Sequence, residues 1–201
     1  MIIHELKTPI LDESIEKIRI GEYLNINGEI ILARDEAHKR ALEYFSEKKK
    51  LPVDFSGAVV YHAGPVAISD NGVWNIVAVG PTTSARMELF EPELLRNFNV
   101  KIILGKGGMG TETVNAIKKH KALYGALTGG TSLIWAKKIV KVVQVDWLDL
   151  GIPEALWKLQ VKDFGPILVA IDSFGNSIYD EVNKKVLNHK QSVLRNMELI
   201  K

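Results

Sequence analysis

The spacing of apolar and polar residues changes period several times along the chain. Over residues 16–32, Ile18, Ile20, Leu24, Ile26, Ile30 and Leu32 recur at mostly even spacing, with Asn27-Gly28 between the last pairs. Alternation of this kind predicts strands, and Asn-Gly accepts the positive φ of a type I′ turn, so a β-hairpin is expected. The period then lengthens. Ala37, Ala41, Leu42, Tyr44 and Phe45 share one helical face over residues 35–47, and Asp35 suits the N-cap. Lys48, Lys49, Lys50 and Pro52 mark an exposed connection. Residues 57–61 read as a strand broken by His62-Ala63-Gly64-Pro65. Residues 66–68, a turn at Ser69-Asp70-Asn71-Gly72 and residues 73–79 read as two more strands.

The stretch from residue 77 to 110, VAVGPTTSARMELFEPELLRNFNVKIILGKGGMG, reads as strand, polar turn, helix, strand and glycine turn. A helix over 111–120, a strand over 122–127, a third turn at Thr128-Gly129-Gly130-Thr131 and a helix through Lys138 follow. The strand, turn, helix unit recurs as architecture, without a sequence repeat behind it. Residues 140–145 read as a strand and 147–157 as mixed. Residues 166–171 read as a strand turned by Asp172-Ser173-Phe174-Gly175-Asn176 into a hairpin with 177–179. A last helix is expected to finish the core with Val182, Val186 and Leu187, and the tail from about residue 191 is left unassigned. No break in charge, glycine or proline divides the chain. The expectation is therefore an α/β fold in one domain, residues 1–201.

Composition narrows the function classes. At 201 residues the chain is long enough to bury a core without disulfide or metal staples. Its 46% hydrophobic and 25% charged residues are ordinary for a soluble protein. With 26 basic against 24 acidic residues and no focused basic stripe, nucleic acid is not the expected partner. There is no cysteine, which excludes thiol nucleophiles, cysteine-ligated zinc and any iron–sulfur cluster held by this chain alone. MIIHELKTPI lacks a signal-peptide core and no run of about 18 apolar residues occurs, so a cytoplasmic location away from membranes is expected.

Candidate chemistry gathers at the two turns of the central stretch. The first offers Thr82, Thr83, Ser84 and Arg86; the second offers Lys106 among Gly105, Gly107, Gly108 and Gly110. Strand ends and helix N-termini are where open α/β sheets place anionic ligands. Arg34, Arg86 and Lys106 each stand near the start of an expected helix and together can hold a dicarboxylate, the guanidinium fork donating two parallel bonds and the ammonium adding a mobile charge. Taken singly, each is more often a surface charge, and Thr82 or Thr83 more often an N-cap. His62 beside a Gly-Pro bend reads as a structural histidine.

Gly105, Gly107 and Gly110 also spell G-x-G-x-x-G between strand and helix, the position of a dinucleotide fingerprint. That fingerprint requires an acidic residue roughly 20 positions later, and none stands between Thr113 and Val145. A Walker loop fails as well, because Gly107 follows Lys106 where serine or threonine belongs.

GPTTSARM at residues 80–87 and GKGGMG at 105–110 resemble the β subunit, or C-terminal domain, of the class I iron–sulfur fumarate hydratase and L(+)-tartrate dehydratase family. RDEAHKR at 34–40, YHAGP at 61–65, DLGIPEALW at 149–157 and KDFGPILVAID at 162–172 extend the resemblance over nearly the whole chain. It implies a swivelling β/β/α domain with mixed sheets and flanking helices. It also implies an α subunit whose cysteines hold a [4Fe–4S] cluster, an α2β2-type complex, and reversible addition of water to a 2-butenedioate, with the open iron as Lewis acid. On this reading Arg34, Thr83, Arg86 and Lys106 bind the substrate, Thr82 shares proton transfer with an acid of the partner, and His38 is a further acid/base candidate. No cofactor or metal ligand is expected on this chain. Fumarate/malate is preferred as the more general metabolic role, with L(+)-tartrate as the alternative and a non-catalytic binding subunit or an NAD-dependent oxidoreductase as rivals.

Overall fold

The computed structural model describes residues 1–197. Strands β1 (Ile3–Lys7) and β2 (Tyr23–Leu32) run parallel, with a one-turn helix α1 (Asp12–Ile15) between them. β2 leads into α2 (Asp35–Ser46), and β3 (Val59–Tyr61) returns parallel to β2. β4 (Ala63–Asp70) and β5 (Val73–Pro81) form a separate antiparallel pair. After a 3₁₀ turn at Ser84–Leu89 come α3 (Glu91–Phe98), β6 (Ile102–Gly105), α4 (Thr111–His120), β7 (Leu123–Ala126), α5 (Ser132–Ala136) and β8 (Ile139–Asp146). A second 3₁₀ turn, Leu148–Leu150, precedes β9 (Leu156–Ile171) and α6 (Ile178–Asn196).

Seven strands form one mixed sheet in the order β1-β2-β3-β6-β7-β9-β8, and β9 also pairs antiparallel with β2. That extra pairing curls the sheet into a partial barrel of β2, β3, β6, β7 and β9. At 16 residues β9 is long enough to pair β8 near its start, β7 near its end and β2 along the other edge. Alternation then sorts the side chains. Val59, Tyr61, Ile102, Leu104 and Leu123 join the core inside the ring, while Val60, Ile103 and Tyr124 join a second core with residues of α2, α3 and α4. Successive residues of a strand face opposite sides, so parallel strands covered on both faces read as continuous apolar runs.

Four local expectations are corrected. Asn27-Gly28 does not turn a hairpin, because β2 continues through it to pair with β9 more than a hundred residues away. Gly28 does take the positive φ that its sequence favours, 110°, but at an irregularity in the β2–β9 register. A Cβ there would stand 2.3 Å from Thr8 Oγ1, which accepts a hydrogen bond from the Glu29 N–H. Asp35 opens α2 without capping it; Arg34 holds the cap position, and the Asp35 carboxylate turns to Arg86. At the C-terminus, the expected hairpin shrinks to one bridge between Ile171 and Ser177, and Ser177 caps α6 by accepting from the Asp180 N–H. Beyond its first turn α6 leaves the body, so Val182, Val186 and Leu187 are more than half exposed and do not finish the core. The helix takes up most of the tail; residues 198–201 lie outside the described residues.

The parallel strands β2, β3, β6 and β7 end at one edge, followed there by Arg34, His62, Lys106 and the Thr128 turn. Past Tyr61 and Leu104 the pairing of β3 with β6 gives way to a wedge formed by the end of β5. The Thr82 N–H donates to the His62 carbonyl at 2.7 Å, the Lys106 N–H to the Thr82 carbonyl at 3.1 Å, and the Ser84 N–H to the Lys106 carbonyl at 2.9 Å. A gap between splayed parallel strands is a usual ligand position in α/β sheets. Here it carries the central turns.

Candidate active site

Backbone pairing places the first two turns side by side, with Thr83 and Lys106 joined in a parallel bridge. Thr83 is exposed, and Thr82 and Lys106 are half-buried. Neither threonine caps a helix with its side chain: the element that follows is a six-residue 3₁₀ turn whose start has no side-chain cap. Lys106 lies across the third turn, its Nζ 3.9 Å from the position of a Cβ on Gly129. Among the described residues no carboxylate pairs with it.

The arginines reach the same edge from α2 and the 3₁₀ turn, and Asp35 lies between them. Arg86 Nε donates to Asp35 Oδ1 at 3.1 Å, and Arg86 Nη2 donates to Oδ2. Arg34 Nε stands 4.0 Å from the same Oδ2, and Arg34 Nη2 meets Glu154 Oε1 at 3.0 Å. Burial favours the neutral acid at Asp35, but the Arg86 bond and both guanidinium charges outweigh it and hold the carboxyl below its usual value. Gly64 gives the Arg34 side chain its path, since a Cβ there would sit 2.4 Å from the Pro153 carbonyl and 3.0 Å from Arg34 Nη1. Each arginine thus keeps N–H donors beyond those its own carboxylate uses.

His38 does not join this surface. Its ring is fully buried, with Nδ1 2.7 Å from the Arg34 carbonyl and Nε2 2.9 Å from Glu91 Oε1. The same Oε1 lies 2.5 Å from His62 Nε2, and His62 Nδ1 lies 3.0 Å from Ser84 Oγ. Tyr124 completes the line, its hydroxyl 2.9 Å from Ser84 Oγ and 2.8 Å from the Gly107 carbonyl. Burial lowers both imidazoles, yet at His38 the bond to Glu91 and its charge reverse the direction, and the value rises. At His62 burial prevails and the value falls. Burial raises the Glu91 carboxyl, but the two imidazoles more than offset it and bring it to about 2.

The glycines of the G-x-G-x-x-G run serve this arrangement. A Cβ on Gly105 would overlap the Ser84 hydroxyl, and one on Gly110 would stand 2.6 Å from the Glu88 carboxylate. Glu88 accepts from the Gly110 N–H at 2.6 Å and from the Thr113 N–H at 3.1 Å, so the N-terminus of α4 already holds an anion from within the chain. A pyrophosphate has no seat there. Gly107 alone takes a positive φ, 77°, with open space at its Cβ.

Sequence reasoning missed Glu91, Ser84 as a buried donor, Tyr124, and the orienting carboxylates Asp35 and Glu154. The one local signal at Glu91 was an acid at the first position of a helix with proline behind it, and acids are common there. Two distant histidines make it singular.

Residues 3–182 match the family described as Fumarase C-terminus. The chain belongs to the fumarase C-terminus family. It is 44% identical over 175 residues to a Methanocaldococcus jannaschii chain provisionally named L(+)-tartrate dehydratase subunit beta, covering 87% of this chain and 90% of that one. It is 39% identical over 186 residues to the L(+)-tartrate dehydratase subunit beta of Escherichia coli K12, covering 92% and 90%. A Geobacillus stearothermophilus protein provisionally named fumarate hydratase class I is 40% identical over 183 residues, which are 90% of this chain and 34% of that longer protein. The fumarase C-terminus chain therefore stands among hydro-lyases, as one subunit in some relatives and about a third of a single chain in another.

Proposed function

We propose that this chain is the β subunit of an iron–sulfur hydro-lyase that reversibly hydrates fumarate to L-malate, and that an α subunit completes its active site. The observation that carries the reading is the wedge at the sheet edge, where Thr82–Ser84 pairs with Lys106 beside two arginines bridged by Asp35. In this reading Arg34, Arg86 and Lys106 hold the two carboxylates, and the exposed Thr83 binds the substrate beside Lys106. Charge-assisted bonds of this kind contribute roughly 1.5–3 kcal/mol each. As a proton leaves the carbon beside a carboxylate, negative charge grows on that carboxylate, and fixed cations stabilise it there. The Thr82 hydroxyl takes part in the proton transfer together with an acid of the α subunit, since an alcohol is not a base without a neighbour to activate it. His38 acts from beneath, through Glu91.

A [4Fe–4S] cluster does not fit this chain's own residues. Cysteine is absent. The described cluster of three metal-type donors, His38, His62 and Glu91, is engaged in hydrogen bonds with itself. The cluster is accordingly assigned to the α subunit, and this chain's share is binding, orientation and proton movement. The reading extends to one domain per β chain in a cytoplasmic α2β2-type complex. No described helix is long and apolar enough to cross a membrane.

L(+)-tartrate is the second reading, favoured by the names of the relatives matched over nearly their whole length. Anaerobic reconstitution with the α subunit and parallel assays of fumarate, L-malate and both tartrate enantiomers test the pair. Fumarate and L-malate are expected to interconvert fastest. Dominant L(+)-tartrate dehydration selects the second reading, and turnover of none of the four defeats both.

A further inference from the structure

One buried line of hydrogen bonds runs from the Arg34 carbonyl through His38, Glu91, His62, Ser84 and Tyr124 to the Gly107 carbonyl. Both ends are carbonyls, which only accept, so every contact draws its hydrogen from the side chains between them. That makes the protonation of the line countable. With Glu91 ionised and both imidazoles neutral, four hydrogens serve six contacts; each imidazolium adds one.

The first contacts decide where an added proton goes. His38 Nδ1 faces a carbonyl and must carry hydrogen. A neutral His38 would then set the bare lone pair of Nε2 against Glu91 Oε1, 2.9 Å away. Given the clamp described above, we propose that His38 and Glu91 hold a resident proton as an imidazolium–carboxylate pair, and that the line anchored by this pair positions the three segments that bind the substrate. Those segments are Arg34 at one end, Thr82–Ser84 in the middle and Lys106–Gly107 at the other.

The remaining polarity follows. Glu91 Oε1 accepts from both Nε2–H groups, Ser84 Oγ–H donates to His62 Nδ1, and the Tyr124 hydroxyl divides its hydrogen between Ser84 Oγ and the Gly107 carbonyl. The surroundings agree with a charged His38. Glu91 and His62 face it from α3 and the end of β3, and the Phe90 ring lies beside it at 6.2 Å. Asp35, on its own helix, adds negative field that Arg86 and Arg34 partly offset. Net raising of His38 and lowering of Glu91 support the same assignment. Glu91 Oε2 is buried with no partner among the described residues, so the carboxylate is held through one oxygen and depends on both imidazoles.

The primary test is ¹⁵N NMR of the full chain labelled at histidine. His38 is expected to show two protonated ring nitrogens at pH 8, and Glu91→Gln to lose that signature. A neutral His38 ring in the wild-type chain overturns the resident proton, as does a spectrum showing both Nε2 atoms bound to a stoichiometric metal. The second arm uses Tyr124→Phe, which keeps the buried ring and removes the last donor, in the complex with the α subunit. KM for the dicarboxylate is expected to rise about tenfold with kcat changed less than about twofold. An unchanged KM overturns the positioning role. The spectrum needs no turnover, so it still reports on the proton if the hydro-lyase reading fails.

Discussion

A Cβ on Gly105 would coincide with the space held by the Ser84 hydroxyl, 1.9 Å from Oγ, and would press on His62 Nδ1 at 3.2 Å. The absent side chain is what lets the buried line pass between β3 and β6. Gly105→Ala should therefore push Ser84 aside and part it from His62 and Tyr124. Overpacking and a broken buried hydrogen bond together cost about 2–4 kcal/mol. Urea unfolding at constant m-value measures it, and a loss below about 0.5 kcal/mol would contradict the role given to this glycine.

Glu88 offers a separate test of the glycine run. It accepts two N–H groups at the start of α4, next to the positive end of the helix. Glu88→Ala should cost about 1–2 kcal/mol, as removal of a good cap does. Stability equal to wild type in the same urea titration would show that the contact does not hold the helix. Tight NAD binding by the wild-type chain, read by calorimetry, would show that the carboxylate leaves its seat.

Stability should fall on both sides of neutrality. His38 is raised above 6.5, so its contribution is full below pH 6.5 and is lost as pH rises through the folded value. His62 is lowered below 6.5, so its contribution is present above pH 6.5 and is lost as pH falls through the folded value. Glu91 contributes above 4.5, and that part is lost as pH falls towards about 2. Glu91→Gln removes the partner that raises His38. Urea midpoints from pH 5 to 9 should show an alkaline decline in the wild type that the variant lacks; matching alkaline limbs would refute it.

Asp35 should matter more for binding than for stability. Its pair with Arg86 is partly exposed, and exposed pairs contribute about 0–1 kcal/mol. Asp35→Asn should leave the melting temperature almost unchanged while raising KM several-fold in the reconstituted complex, because Arg86 and Arg34 lose their common guide. A drop in stability with KM intact would make the carboxylate a fold element instead.

These relationships differ in how far the sequence reveals them. The parallel strands around Tyr61, Leu104 and Tyr124 were readable because burial on both faces produces unbroken apolar runs. Thr82, Thr83, Arg86 and Lys106 were readable as a group because polar turns after such runs are few. Arg34 and Asp35 were legible as the start of a helix, though one position off at the cap, and the bond from Asp35 to Arg86 depends on a segment some fifty residues away. Asn27-Gly28 misled for a physical reason. The dipeptide fixes a local φ, and it is Thr8 and β9 that decide whether that φ serves a turn or a bulge. The buried line was hidden most completely, since Glu91 meets both histidines and Tyr124 meets Ser84 only when β3, α3 and β7 are assembled.

Lys106 bears the central claim most directly, because it is the one proposed clamp cation with no carboxylate partner among the described residues. In the anaerobically reconstituted complex, Lys106→Ala should lower kcat/KM for fumarate about 10- to 150-fold, the equivalent of one lost charge-assisted bond, with an unchanged circular dichroism spectrum. A variant with wild-type kcat/KM would contradict the assignment of this edge as the dicarboxylate site.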